Sequence, residues 1–193
     1  MFCLVNSVSK GIVRTQSCYN LYNKKMDTLI VPGFSLKNKD WAEEVQRNLM
    51  PINSRIHYWS HWETGQAEDS WVGKETKEII SHENLIINII AKSIGTLVAM
   101  KILKLKLKLI NRIILCGIPL NDFHPGDKEF YEALKLLDEK NILCIQNEND
   151  NHGTFFDVEK FVHAINPNIK IISKPRSDHE YPYFEDFAVF LKN

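Results

Sequence analysis

Short apolar segments alternate with amphipathic segments along most of this chain. Most of the apolar segments are rich in Ile, Val and Leu, and they predict buried strands. They lie at residues 28–31, 55–59, 85–91, 112–116, 142–146 and 169–173. Segments with apolar residues at helical spacing predict helices between and after them, at residues 40–49, 71–82, 94–104, 128–138, 157–164 and 183–191. This alternation predicts βαβ units and therefore a single α/β domain, a three-layer α/β/α sandwich with a mostly parallel sheet of about six strands.

Residues 1–26 have a different composition from the rest of the chain. They contain no Asp or Glu but include Lys10, Arg14, Lys24 and Lys25. We interpret them as a disordered N-terminal extension that precedes a folded domain at residues 27–193. A mitochondrial targeting peptide is the first alternative, because such peptides are also poor in acidic residues, and an ordered accessory strand is the second. The expected location is the cytoplasm, or the mitochondrion if the extension is a targeting peptide.

Composition and charge exclude several classes of function. The 193 residues include 24 basic and 24 acidic side chains, so no net charge draws the protein to nucleic acid. No apolar segment reaches the roughly 18–20 residues of a membrane-spanning helix. The four cysteines have no CxxC spacing, and neither metal-ligand clusters nor glycine-rich phosphate motifs occur. We therefore expect no metal, no cofactor, no nucleic acid partner and no membrane span.

One predicted strand runs directly into a serine at the start of a predicted helix. Ser93 lies in the sequence Ala91-Lys92-Ser93-Ile94-Gly95, and its small neighbours allow a sharp strand-to-helix turn. A hydroxyl on such a turn projects above the sheet, close to the N–H groups of the helix. A serine in this place is more commonly an N-cap, so the turn alone does not make Ser93 a nucleophile.

A base and an acid follow the last two predicted strands. His179 comes after the strand at 169–173 and could take the proton of the Ser93 hydroxyl. Asp150 comes after the strand at 142–146 and could orient the imidazole. Asp122, which follows the strand at 112–116, is an alternative acid. Because carboxyl ends of parallel strands share one edge of a sheet, we expect these side chains to meet there.

The turn at Ser93 and the chain order Ser93, Asp150, His179 together resemble the α/β-hydrolase fold, whose nucleophile motif is G-x-S-x-G. The chain departs from that motif at one position, where Ala91 replaces the first glycine. Within the fold it resembles the small serine hydrolases without a lid domain that are related to retinoblastoma-binding protein 9 and to bacterial YdeN-like proteins. That family has a Pro-Gly loop after the first strand, here Pro32-Gly33, followed by a segment that contains tryptophan.

The resemblance also implies an oxyanion hole made of backbone N–H groups. Ile94 would supply one donor, and Phe34 or Ser35, in the loop after the first strand, would supply the other. No metal or cofactor is implied.

The segment 57–62 is rich in aromatic residues and has two interpretations. Trp59, His61 and Trp62 could form the wall of an acyl pocket, or they could pack as ordinary core under a short loop. The sequence does not distinguish them.

These observations predict a serine hydrolase that cleaves a small carboxylic ester or thioester through an acyl-enzyme intermediate. The alternative is a catalytically silent protein of the same fold that serves as an interaction scaffold for a protein partner. An acyltransferase would use the same residues, and the sequence does not separate it from a hydrolase.

Overall fold

The structure, a computed structural model, describes residues 26–192. Within these residues six strands form one sheet: β1 (Asp27–Val31), β2 (Ser54–Ile56), β3 (Ile87–Lys92), β4 (Ile110–Cys116), β5 (Ile142–Asn147) and β6 (Lys170–Lys174). All neighbouring strands are parallel, in the order β2-β1-β3-β4-β5-β6. The predicted parallel sheet is confirmed. The extension predicted at residues 1–26 lies, except for Met26, outside the described residues, and the domain boundary stays a prediction.

Helices cover both faces of this sheet. They are α1 (Asn38–Asn48), α2 (His61–Thr64), α3 (Trp71–His82), α4 (Ile94–Lys106), α5 (Phe155–Ile165) and α6 (Phe184–Lys192), with 3-10 helices at Leu107–Leu109, Leu120–Asp122, Lys128–Leu136 and Glu139–Asn141. Helices α1 and α6 pack on one face, while α3, α4, α5 and the 3-10 helix Lys128–Leu136 pack on the other. The predicted three-layer sandwich is therefore confirmed.

Alternate residues of the central strands enter the two cores. Ile89 and Ala91 of β3 belong to the core under α4, whereas Ile90 belongs to the core under α1 and α6. All six residues of β3 are buried. A strand that is covered on both faces has no polar face. For this reason the sequences of these strands are continuous apolar runs.

Two predicted elements differ from the structure in helix type or by more than two residues at one end. The helix predicted at 128–138 is a 3-10 helix that ends at Leu136. Its large buried side chains are Tyr131 and Leu134. Residues that are three positions apart, like these two, lie on the same face of a 3-10 helix. The strand predicted at 55–59 ends at Ile56, because the chain turns there and Trp59 packs beneath the loop that follows β1.

Helix α4 starts in direct contact with the end of β1. A Cβ atom added to Gly95 would lie 2.4 Å from the Val31 carbonyl oxygen and 2.5 Å from that of Pro32. Only glycine allows the first turn of α4 to approach the backbone this closely. This contact fixes the helix, and the serine in front of it, against the edge of the sheet.

We therefore expect Gly95→Ala to destabilise the protein by about 1–3 kcal/mol, since the methyl group meets rigid backbone. Gly73→Ala is the matched control, because Gly73 lies within α3 and a Cβ there meets nothing within 4 Å. That substitution should stabilise by roughly 0.4–1 kcal/mol. Urea unfolding of both variants measures the difference, and equal changes would contradict the proposed close contact.

Candidate active site

Ser93 occupies a strained turn between β3 and α4. Its φ of 56° and ψ of −130° make it the only residue other than glycine with positive φ in the part of the chain that the structure describes. Such a conformation costs of order 1–3 kcal/mol and concentrates at functional sites. The Ser93 side chain makes no capping hydrogen bond to α4. Ser93 is therefore the N-cap residue of α4 by position, but its hydroxyl does not cap the helix.

The backbone around Ser93 is held by two neighbours. The Ser93 N–H donates to the Cys116 carbonyl at the end of β4, 2.9 Å away. The Ser93 carbonyl accepts from the N–H and the hydroxyl of Thr96, at 2.8 and 2.6 Å. The turn is consequently tied both to the sheet and to the first turn of the helix.

Asp150 and His179 form a hydrogen-bonded pair at the same edge of the sheet. The Nδ1–H of His179 donates to Oδ2 of Asp150 at 2.6 Å. The Tyr181 hydroxyl donates to the same oxygen at 2.6 Å, and the backbone N–H of His152 donates to Oδ1 at 2.9 Å. Asp150 is fully buried, so these donors replace the water that a carboxylate requires.

The donors also determine the charge of Asp150. Burial acts to raise the pKa of this carboxyl, but the hydrogen bonds from His179 and Tyr181 outweigh it, and the pKa lies below its ordinary value. Asp150 is therefore ionised at neutral pH and can only accept hydrogen bonds. His179 must then carry its proton on Nδ1, which leaves Nε2 as the acceptor of the neutral ring.

Asn147, the last residue of β5, holds the loop that carries His179. Its side-chain amide donates to the carbonyl oxygens of Asp178 and Glu180, at 2.8 and 2.9 Å, which lie on either side of His179. The Tyr183 hydroxyl donates to the Asn147 amide oxygen at 2.5 Å. Asn147 was not among the residues predicted from the sequence, although its place at the end of a strand was a usable signal.

The serine turn and the histidine loop meet at the end of β4. A Cβ on Gly117 would lie 3.0 Å from Cε1 of His179, and Ser93 is bonded to the preceding residue, Cys116. Lys92, which precedes Ser93 and is buried, forms an ion pair of 3.1 Å with Glu180, which follows His179. The structure thus brings the predicted serine and histidine to one place.

The Nε2 atom of His179 is buried and has no hydrogen-bond partner among residues 26–192. It makes no hydrogen bond to the Ser93 hydroxyl. An unpartnered acceptor at this position can take up a proton.

Asp122, the alternative acid, lies beside a different histidine. Its Oδ2 accepts from Nδ1–H of His152 at 2.5 Å, and the His152 ring packs against His179 with 4.3 Å between ring centroids. Of the two acids, the geometry therefore favours Asp150 as the partner of His179. His152 was not among the residues predicted from the sequence, and only the fold shows its contact with the His179 ring.

The aromatic segment 57–62 supports the loop after β1. The indole N–H of Trp59 donates to the Gly33 carbonyl at 2.9 Å. His61 Nε2 and the indole N–H of Trp62 donate to the Phe34 carbonyl, at 2.9 and 2.7 Å. Trp59 is only 1% exposed. These contacts favour the second interpretation of the segment, packing under the loop.

Residues 26–192 contain no group of three or more His, Cys, Asp or Glu side chains arranged to hold a metal ion. In the same range, no helix has both the length and the apolar character needed to cross a membrane.

Comparison with solved structures identifies the fold. A protein described as a YdeN-like hydrolase, from Pectobacterium atrosepticum, superposes with a TM-score of 0.61 at 17% identity, over 92% of this chain and 96% of the other. The ydeN gene product of B. subtilis matches with a TM-score of 0.61 at 14% identity, over 87% and 100%. Alpha/beta hydrolase domain-containing protein 10 from mouse matches with a TM-score of 0.63 at 13% identity, over 88% and 89%.

This chain has the α/β-hydrolase fold. The superfamily resemblance inferred from the sequence is confirmed at the level of the fold. No protein-family model and no curated protein sequence matches the chain.

The α/β-hydrolase fold carries its nucleophile on a strained strand-to-helix turn, and Ser93 lies on a turn of this kind. The connection between β4 and β5 folds back onto the sheet, since Tyr131 and Leu134 of its 3-10 helix lie in the core.

We expect Tyr181→Phe to destabilise the protein by about 1.5–3 kcal/mol at pH 7, because it removes a hydrogen bond to a buried charge. The pKa of Asp150 is lowered on folding, so the stability it contributes is complete above its unfolded pKa of about 3.9 and is lost as the pH falls through the folded pKa. The deficit of the variant should therefore shrink in acid.

Tyr131→Phe is the matched control, because the Tyr131 hydroxyl is equally buried but bonds to the neutral Thr96 hydroxyl. It should cost about 0.5–1.5 kcal/mol with no comparable change between pH 7 and pH 3. Urea unfolding at both values measures this, and a deficit of Tyr181→Phe that grows in acid would contradict an ionised Asp150.

Proposed function

We propose that this protein is a cofactor-independent serine hydrolase that cleaves a small carboxylic ester or thioester. Ser93 is the nucleophile, His179 the general base and Asp150 the acid that orients the imidazole. The observation that carries the proposal is the buried Asp150–His179 pair, whose unpartnered Nε2 lies at the same end of β4 as the strained turn of Ser93. A structural histidine pair would not require a strained serine beside it.

The reaction begins with attack of Ser93 Oγ on the carbonyl carbon of the substrate. The hydroxyl proton passes to Nε2 of His179, the acceptor that the ionised Asp150 leaves free. The tetrahedral intermediate collapses, the bond to the leaving group breaks, and His179 returns the proton to the departing alcohol or thiol. Water then attacks the acyl-enzyme with the same base, which releases the acid and regenerates Ser93.

Backbone N–H groups stabilise the oxyanion in both tetrahedral intermediates. Ile94 N–H belongs to the first turn of α4, where the helix dipole favours negative charge. Phe34 and Ser35 lie in the loop after β1, and their N–H groups make no hydrogen bond to another described residue. One such donor is worth roughly 2.7–4 kcal/mol in known hydrolases.

Exposed apolar side chains on the loops of this edge support a small apolar substrate. Phe34 and Leu36 follow β1 and are 47% and 58% exposed, and Tyr58, which follows β2, is 49% exposed. They offer contact area without enclosing a long chain.

The matches to YdeN-like proteins and other hydrolases support the hydrolase class, and we propose that the chain belongs with the YdeN-like group. We place it in the cytoplasm, or in the mitochondrion if residues 1–26 direct it there.

A fluorophosphonate probe tests the nucleophile. We expect the probe to label the wild-type protein and not the Ser93→Ala variant, because only an activated serine reacts with this phosphonylating reagent. Ser81→Ala is the control, since Ser81 is an exposed serine at the end of α3 and should have no effect. Asp150→Asn should slow turnover by about 10⁴-fold, and Asp122→Asn far less.

Failure of the probe to label folded wild-type protein would contradict the proposal and favour the interaction scaffold. Labelling of Ser93 together with a product that carries an added alcohol or amine would indicate an acyltransferase.

A series of p-nitrophenyl esters tests the substrate class. We expect kcat/KM to be higher for acetate and butyrate than for decanoate, because the exposed side chains of the β1 and β2 loops cover only a short acyl chain. Initial rates across the series measure the preference. A rate that rises steadily up to decanoate would contradict the small-substrate proposal while leaving the triad intact.

A further inference from the structure

Glu75 is a buried carboxylate close to the candidate site, and the proposed reaction does not use it directly. It lies on α3, and only 1% of it is exposed. Oε1 accepts from the backbone N–H of Ser60 at 3.0 Å and from its hydroxyl at 2.5 Å, and Oε2 accepts from His57 Nε2–H at 2.7 Å. A buried carboxylate is stable only when its oxygens are bonded in this way.

Glu75 keeps its charge in spite of burial. Burial acts to raise the pKa of the Glu75 carboxyl, but the hydrogen bonds from Ser60 and His57 outweigh it, and the pKa lies below its ordinary value. Charge-assisted hydrogen bonds are shorter and stronger than neutral ones. Glu75 therefore holds the backbone at Ser60 more firmly than a neutral acceptor would.

Ser60 stands in the middle of the segment that supports the loop after β1. It separates Trp59, which donates to the Gly33 carbonyl, from His61 and Trp62, which both donate to the Phe34 carbonyl. A shift of Ser60 would move these ring N–H donors relative to their acceptors. Through them, Glu75 determines where the two carbonyl groups point.

The direction of a carbonyl determines the direction of the next N–H group. In a trans peptide the C=O and the N–H of one plane point to opposite sides. With its carbonyl held by Trp59, the Gly33 peptide directs the Phe34 N–H away from the aromatic segment. The Phe34 peptide, held by His61 and Trp62, does the same for the Ser35 N–H. These are the two N–H groups proposed for the oxyanion hole.

We infer that Glu75 is a positioning residue for the oxyanion hole. Its carboxylate fixes residues 57–62, whose ring N–H groups hold the carbonyls of Gly33 and Phe34 and so orient the N–H groups that bind the oxyanion. The inference rests on the proposed function for its catalytic consequence, although the orientation itself is a structural claim.

Glu75→Gln tests it with little change of shape. The amide oxygen of the variant still accepts the hydrogen bonds of Ser60. Its NH₂ group, however, faces the N–H of His57, so that two donors meet there. We expect kcat to fall about 10–100-fold, less than the 10²–10³-fold effect of deleting an oxyanion donor, while KM changes less than about 3-fold. A fall in kcat with little change in KM indicates the loss of an interaction that is made only in the transition state.

Ile79→Val is the matched control, because Ile79 is a buried residue of the same helix that belongs to the apolar core. It should lower Tm and leave kcat unchanged. If Glu75→Gln and Ile79→Val lower kcat equally for an equal loss of Tm, Glu75 is a stability residue only and the inference is wrong.

The indole N–H signals of Trp59 and Trp62 provide a readout that does not depend on activity. In ¹H–¹⁵N spectra both should shift and exchange faster in Glu75→Gln, and unchanged signals would overturn the inference. If Glu75→Gln does not fold, Ser60→Ala removes one of the same hydrogen bonds and should shift the same signals with a smaller fall in kcat. If the wild type is not labelled by fluorophosphonate, the proposed function fails, while the indole signals still test the role of Glu75.

Discussion

The candidate site depends on the hydrogen bonds that stabilise the buried charge of Asp150. A carboxylate removed from water must find donors, and an unpaired buried charge costs several kcal/mol. Asp150 finds them in His179, Tyr181 and the backbone of His152. These donors lie in the two loops that follow β5 and β6. The hydrogen bonds to this one carboxylate therefore also fix the orientation and the tautomer of the His179 imidazole, and they hold both loops together.

The other half of the site is organised in a similar way. Glu75 is also a buried carboxylate with a lowered pKa, and its donors also come from a loop. Asp150 orders the loop that carries His179, while Glu75 orders the segment that supports the loop after β1. Ser93 lies between these two ordered regions, on a turn that is held by the sheet and by α4. The strain of its backbone is maintained by that surrounding structure rather than by local sequence preference.

Much of the architecture followed from patterns that are local in sequence. Strands covered on both faces appear as apolar runs, and the ends of those runs mark the edge at which ligands bind. For that reason Ser93, Asp150 and His179 could be proposed from their positions alone. The errors have local causes too: an apolar spacing of three residues was interpreted as α-helix at 128–138, and the aromatic content of 57–62 suggested a longer strand than the one that ends at Ile56.

The sequence alone determined the class of fold, the order of its elements and which reactive side chains share one edge, because periodicity and chain order carry that information. Only the tertiary structure decided which acid pairs with which histidine, that Trp59, His61 and Trp62 hold a backbone loop, and that Glu75 is buried beside them. These facts depend on hydrogen bonds between residues far apart in the chain, such as Asp150 and His179, which are separated by 29 positions. A buried polar group takes whichever partner the fold brings within reach, and no local pattern specifies that partner.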